Sequence, residues 1–101
     1  METQIQSHAF TADASTDAIQ ASGGDYLFSH QGSSYGGGTI KLQYSEDGGS
    51  TWTDVADTDA TAAEQLAVMT GAGTLYRINL ASSTGPSITA SFRKTRPTER
   101  Q

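Results

Sequence analysis

The sequence predicts an all-β domain: a single antiparallel β-sandwich of about seven or eight short strands. Apolar and polar residues alternate along several stretches, which is the side-chain period of a β-strand. Glycine-containing turns separate these stretches at intervals of about ten residues. The eleven glycines show no three-residue period, which excludes a collagen-like chain. This spacing is typical of a sandwich of either the immunoglobulin-like (Ig-like) or the jelly-roll type.

The predicted strands of the first half share this alternation and are separated by Gly- and Ser-rich turns. In the second half, residues 62–70 are ambiguous, because the Ala-rich start favours a helix by propensity while the alternation of Leu66, Val68 and Thr70 favours a strand. We adopt the strand. Residues 31–38 are expected to be a flexible loop. The predicted strands are residues 4–10, 16–21, 26–30, 39–44, 52–55, 62–70, 74–80 and 88–92.

The best-defined local feature is the segment 45–52, which joins two of these strands. Asp47 can accept hydrogen bonds from backbone amides further along the turn. Gly48 and Gly49 supply the positive φ angles that other residues adopt only at a cost. Trp52 is expected to fold back over the turn and bury its indole. The segment therefore predicts a tight β-hairpin.

The pattern of this segment resembles the Asp-box, the hairpin motif of sialidase-type propeller repeats. The resemblance implies a structural turn away from any catalytic centre. A sialidase needs several such repeats and an arginine cluster, whereas Arg77 is the sole arginine before residue 93. We therefore expect no enzyme activity and no catalytic residues. The residues that carry the motif are Ser45, Asp47, Gly49, Thr51 and Trp52.

Charge is distributed unevenly. Residues 1–92 hold ten acidic and two basic residues, a net charge of −8, whereas residues 93–101 hold four basic and one acidic residue, a net charge of +3. We expect a sandwich domain over residues 1–92, with residues 1–10 as an arm or edge strand, and a basic tail over 93–101. The tail is either a solvated terminus or a strap that binds an acidic neighbour. Nucleic acid is not expected, because the acidic body repels phosphate. The candidate contacts are Arg93, Lys94, Arg96 and Arg100.

Metal and cofactor sites are not expected. The chain has no cysteine, and its two histidines are interpreted as ordinary strand residues. The acidic residues near positions 54–64 do not meet the EF-hand spacing, so they are interpreted as a solvated loop. The N-terminus has no features of a signal peptide, and no stretch reaches the length of a membrane helix.

Tyr35 is the aromatic residue that the pattern leaves free for a ligand, because it lies in the glycine-rich loop. Exposed aromatics on a β-sandwich can stack against sugar rings, so a glycan is a candidate partner. The more general resemblance is to small β-sandwich proteins of tailed-phage virions. It is carried by the strand-and-turn pattern of residues 24–52, 73–77 and 84–90.

This second resemblance implies a non-enzymatic virion structural protein, most specifically a capsid decoration or cement protein. Such a protein would bind the major capsid protein or another virion protein, form a homo-oligomer, and be assembled in the host cytoplasm. The alternative is a carbohydrate-binding or receptor-binding module of a tail or head fibre. A thin core agrees with a subunit that its neighbours stabilise, since only 35% of the residues are hydrophobic.

Overall fold

The computed structural model describes residues 4–94, in which nine β-strands form two antiparallel sheets and no helix occurs. The two sheets pack against each other around a shared core, which confirms the predicted all-β sandwich. The strands are β1 (Ile5–Phe10), β2 (Ala14–Ser15), β3 (Ile19–Gln20), β4 (Gly24–Ser34), β5 (Thr39–Ser45), β6 (Thr53–Asp54), β7 (Glu64–Thr70), β8 (Leu75–Ala81) and β9 (Ser87–Lys94).

The strand order identifies the sandwich as a jelly roll. The front sheet has the order β1-β9-β4-β7, and the back sheet has the order β2-β8-β5-β6, with β3 also paired to β8. Since β2 and β3 pair with successive parts of β8, they act as one interrupted strand. The first strand then pairs with the last, the second with the second-last, and so on inward to the β5–β6 hairpin. This wrapping is the jelly-roll topology, so it decides between the two predicted sandwich types.

The core lies between the sheets and is built from the inward face of each strand. Alternation places Tyr26 and Phe28 of β4 inside, where Tyr26 stacks on Phe92 at 4.7 Å between ring centroids. Strand β1 contributes Ile5 and Phe10, which are 8% and 1% exposed. Residues 5–10 therefore form an edge strand that contributes side chains to the core.

The predicted loop over residues 31–38 is partly wrong, because β4 continues to Ser34 along β9. The remainder is held against the turn before β9. Gly36 has φ +60°, and a Cβ atom there would lie 2.4 Å from the carbonyl oxygen of Thr84. The Thr84 amide in turn donates to the Gly36 carbonyl at 2.9 Å. Gly36 therefore serves a close backbone approach, so the segment is anchored where the sequence suggested flexibility.

The bounds of β7 and β9 differ from the predicted ones. Residues 64–70 are a strand, as the alternation predicted, and the helical propensity of the preceding alanines is overridden. The last strand extends beyond residue 92, because Arg93 and Lys94 pair with Leu27 and Tyr26 of β4. The basic segment therefore begins inside the sandwich. Residues 95–101 lie outside the described part of the chain.

Candidate functional site

The hairpin turn between β5 and β6 brings the predicted turn residues together. The Ser45 hydroxyl accepts a hydrogen bond from the Gly49 amide at 2.9 Å and donates to Asp47 Oδ1 at 2.7 Å. The Thr51 amide and hydroxyl donate to the two oxygens of Asp47, at 3.0 and 2.5 Å. Gly49 has φ +97°, so a side chain there would be strained. One carboxylate and one hydroxyl thus hold both ends of the turn.

These hydrogen bonds favour the ionised form of Asp47. The Thr51 hydroxyl is the largest cause, followed by the Thr51 amide and the Ser45 hydroxyl, and together they hold the pKa of Asp47 far below its usual value of 3.8. The side chain is exposed, so solvent screens the resulting stabilisation. The arrangement is that of a structural acceptor, since the carboxylate is occupied by its own turn.

Trp52 follows this turn and is half-buried. The guanidinium carbon of Arg77 lies 4.4 Å from its ring centroid, a cation–π distance. Arg77 Nε also donates to the side-chain oxygen of Gln43 at 2.8 Å. Stacking and hydrogen bonding therefore fix the Arg77 side chain on the outer face of the back sheet. Trp52 serves as its platform, in addition to covering the turn.

Asp54 completes this cluster. Its carboxylate accepts hydrogen bonds from Gln43 at 2.9 Å and from Lys41 at 3.2 Å. The hydrogen bond from Gln43 is the main cause that lowers the pKa of Asp54, and Lys41 adds to it. The cluster presents fixed donors and acceptors on an open sheet face. We call it the Arg77 patch; its members are Lys41, Gln43, Trp52, Asp54 and Arg77.

The Arg77 patch was missed by sequence reasoning. Alternation does place Lys41 and Gln43 on the solvent side of β5, and Arg77 on the solvent side of β8. However, the pairing of Gln43 with Arg77 joins residues 34 positions apart, and alternation alone does not specify that register. The signal that could have found the patch was the polar outer face of both strands.

Tyr35 is not the exposed, unpartnered side chain that the sequence pattern suggested, and its role as a partner contact stays a prediction. Its side chain is half-buried against the core, and its hydroxyl lies 2.7 Å from Nδ1 of His30. Burial, together with the negative charge of Glu64, raises the pKa of Tyr35. The imidazole of His30 is 2% exposed, and its Nε2 has no hydrogen-bond partner among the described residues. Burial lowers the pKa of His30 because the charged form would lose its hydration.

The basic candidate contacts divide into two pairs. Arg93 and Lys94 are exposed at the end of β9, and Lys94 donates to the hydroxyl of Ser22 at 3.0 Å. Arg96 and Arg100 lie outside the described residues. The structure therefore places two of the four residues, and it places them on a strand.

The remaining clusters provide less chemistry. Residues 4–94 contain no group of three or more His, Asp or Glu side chains that could hold a metal ion. A cleft of about 510 Å³ between β1 and residues 16–19 mixes Ile5 and Ile19 with His8 and Asp17. Within the described part of the chain, no helix is long and apolar enough to cross a membrane.

No protein-family model, curated protein or solved structure matches this sequence.

Proposed function

We propose that this chain is a non-enzymatic structural protein of a virion, and specifically a capsid decoration or cement protein that stabilises major capsid subunits. The observation that carries the proposal is the use of its acidic side chains to brace the fold. Asp47 holds the hairpin turn, and Asp54 links two side chains of β5. Asp13 accepts hydrogen bonds from the amides of Ser82 and Ser83 at 3.0 and 2.9 Å.

The Asp13 contacts join residues 69 and 70 positions apart, the Asp54 contacts join the two strands of the hairpin, and the Asp47 contacts close its turn; all three side chains lie at the surface. Such a distribution suits a scaffold whose surface must keep its shape when it binds a neighbour. The resemblance of the strand-and-turn pattern to small virion proteins supports the same function. The acidic body and basic C-terminal segment would let one subunit meet two surfaces of different charge.

The test is binding to capsids that lack this protein, measured by co-sedimentation. We expect saturable binding by the full chain. The double substitution Arg96→Gln/Arg100→Gln should weaken binding and reduce its salt sensitivity, because each change removes a charge from the tail. Thr95→Ala/Thr98→Ala is the matched control, since it alters the same segment without changing its charge. Absence of binding by the full chain would contradict the proposal, and equal binding by both double variants would contradict the role of the tail.

A second candidate function is carbohydrate or receptor binding by a tail or head fibre, and the Arg77 patch favours it. Arg77 is held by Trp52 and by its Nε, and its two terminal amino groups have no hydrogen-bond partner among the described residues. Asn79, on the same strand, donates to Ser15 at 2.8 Å and continues the polar face. A glycan would be recognised here by hydrogen bonds, because Arg77 occupies one face of the indole.

A glycan array separates the two functions. Binding that Arg77→Gln abolishes and Tyr35→Phe retains would favour the fibre module. The Tyr35 variant is the control, because that residue lies away from the patch and its ring packs against the core. An array without hits, together with saturable capsid binding, would favour decoration.

A further inference from the structure

Strand β7 forms one edge of the front sheet. It pairs with β4 over seven consecutive residues without a bulge, from Gly24 opposite Thr70 to His30 opposite Glu64. Among residues 4–94, nothing forms a backbone hydrogen bond with its other edge. Met69 points outward and is 75% exposed. The strand thus presents a long, regular and partly apolar edge to solvent.

The other edge strands are protected. Strand β1, the opposite edge of the front sheet, has a register shift between Ile5 and His8, which disrupts a regular template. The edges of the back sheet are formed by strands of two residues each, β2, β3 and β6. In contrast, β7 contains no proline, no basic residue and no bulge, which are the usual means of blocking an edge. An open edge of this kind is a site for strand addition.

We propose that β7 pairs with β7 of a second copy of this chain, antiparallel and about a two-fold axis at Ala67. Because Ala67 is the central residue, this axis pairs all seven residues of the strand. Moving the axis to another residue, while keeping inward side chains opposite inward side chains, would pair fewer of them. It places Leu66 opposite Val68 of the partner subunit on the inner side and Ala67 opposite Ala67 of the partner subunit on the outer side. The two front sheets become one continuous sheet of eight strands.

The charges of the strand agree with this register. Glu64 is the sole charged residue of β7, and it faces Thr70 of the partner subunit, so the two carboxylates lie at opposite ends of the pair. A cleft of about 340 Å³ follows the strand, and its lining includes Val55, Leu66 and Val68 as well as Asp57 and Met69. The partner's inward side chains would fill it and extend the thin core. A second copy is therefore a better occupant than an acidic or strongly charged peptide.

The dimer does not depend on the virion role. A chain that dimerises through β7 and fails to bind capsids would retain this inference and contradict the proposed function. The converse result, capsid binding by a monomer, would contradict the dimer and retain the proposed function.

The absence of cysteine from the natural chain makes a cross-linking test specific. In an antiparallel pair, opposed Cα atoms lie about 4.5–5.5 Å apart, which is within the range of a disulfide. Ala67 is exposed, so Ala67→Cys should form a covalent dimer on mild oxidation without unfolding the sandwich. Thr89→Cys, on the outer face of β9, is the matched control: it should still pair through β7 but form no covalent dimer. Equal cross-linking of the two variants would overturn the register.

A charge exchange tests the interface in the full chain. Ala67→Lys and Ala67→Glu each place like charges directly opposite one another, so each should raise the dimer dissociation constant about tenfold or more. Their mixture should form a heterodimer. Sedimentation velocity measures the mass of each sample, and Thr89→Lys controls for the added charge. A wild-type chain that stays monomeric at about 100 times the concentration used for cross-linking would overturn the proposal, as would a dimer that neither Ala67 variant weakens.

Discussion

Asp47 connects the two ends of the β5–β6 turn, and replacing it tests how much the turn depends on that carboxylate. Asp47→Ala removes the acceptor for the Thr51 amide and hydroxyl and for the Ser45 hydroxyl. We expect Asp47→Ala to lower the midpoint of thermal unfolding. Asp47→Asn should have a midpoint between those of the wild type and Asp47→Ala, because its side-chain amide keeps one acceptor oxygen. The control is Asp17→Ala, an exposed acid outside this turn. Equal midpoints for the two alanine variants would mean that glycine conformation alone maintains the hairpin.

The effect of Asp47→Ala should depend on pH. The folded-state pKa of Asp47 lies below the unfolded value of 3.8, so between the two values the unfolded chain binds more protons. The contribution of the ionised carboxylate is therefore complete above the unfolded pKa and is lost as pH falls through the folded one. The difference in the midpoint of thermal unfolding between the wild type and Asp47→Ala should be constant above about pH 5 and become smaller below about pH 4. A difference that is constant down to about pH 2 would assign the effect to the local backbone.

His30 adds a second acid sensitivity, which begins at a higher pH than that of Asp47. Because burial lowers its folded pKa below the ordinary 6.5, the unfolded chain binds the proton first as the pH falls. Stability should decline from about pH 6.5 downward, by at most about 1.4 kcal/mol per pH unit from this group. Urea unfolding between about pH 7.5 and pH 5 measures the slope. His30→Phe should flatten it and His8→Gln should not; a slope that survives His30→Phe would assign the acid sensitivity to other groups.

At the scale of elements, β1 carries more of the core than its polar sequence suggested. Phe10 is 1% exposed at the end of the strand, whereas Ser7 on the same strand faces solvent. Phe10→Ala should lower the free energy of unfolding by about 3–5 kcal/mol, through lost burial and the cavity left behind. Ser7→Ala should change it by less than about 0.5 kcal/mol. Urea denaturation of both variants checks this, and a small effect of Phe10→Ala would mean that β1 is dispensable.

The strands were predictable because their inward faces are apolar, and that is a local property of the sequence. Tyr26, Phe28 and His30 occupy alternate positions of β4, and all three are buried. Pairing was not predictable, because alternation specifies a face and leaves the neighbouring strand open. For that reason the sequence indicated the hairpin turn at Asp47, which is local, and missed the Arg77 patch, which needs β5 and β8 in register.

The prediction for Tyr35 was also limited because the sequence pattern does not specify tertiary contacts. Tyr35 lies within the glycine-rich stretch 31–38, which has no alternation, so the pattern suggested an exposed side chain. The structure packs it against the core because β4 continues to Ser34 and brings its hydroxyl to His30. The basic segment was also assigned by composition, which located the charge and could not show that β9 includes Arg93 and Lys94.

For the whole molecule, the jelly-roll topology pairs the first described strand with the last. Strand β9 lies between β1 and β4 in the front sheet, so the first strand is held in place by the last one. Three residues of β9, Ile88, Ala90 and Phe92, are buried at 2%, 1% and 0% exposure. The sandwich therefore closes only when the last strand is present, and pairings this distant in sequence fold slowly.

This dependence predicts different results for two truncations. A chain of residues 1–86 holds eight of the nine strands, yet it should fail to fold, because losing β9 removes three core side chains and leaves β1 without a partner. A chain of residues 1–94 should unfold cooperatively, since it keeps every described strand. Amide dispersion in NMR spectra and urea unfolding distinguish the outcomes. A cooperative transition in the 1–86 chain would mean that β4 and β7 with the back sheet form an independent unit, and that β9 is added to a sandwich already formed.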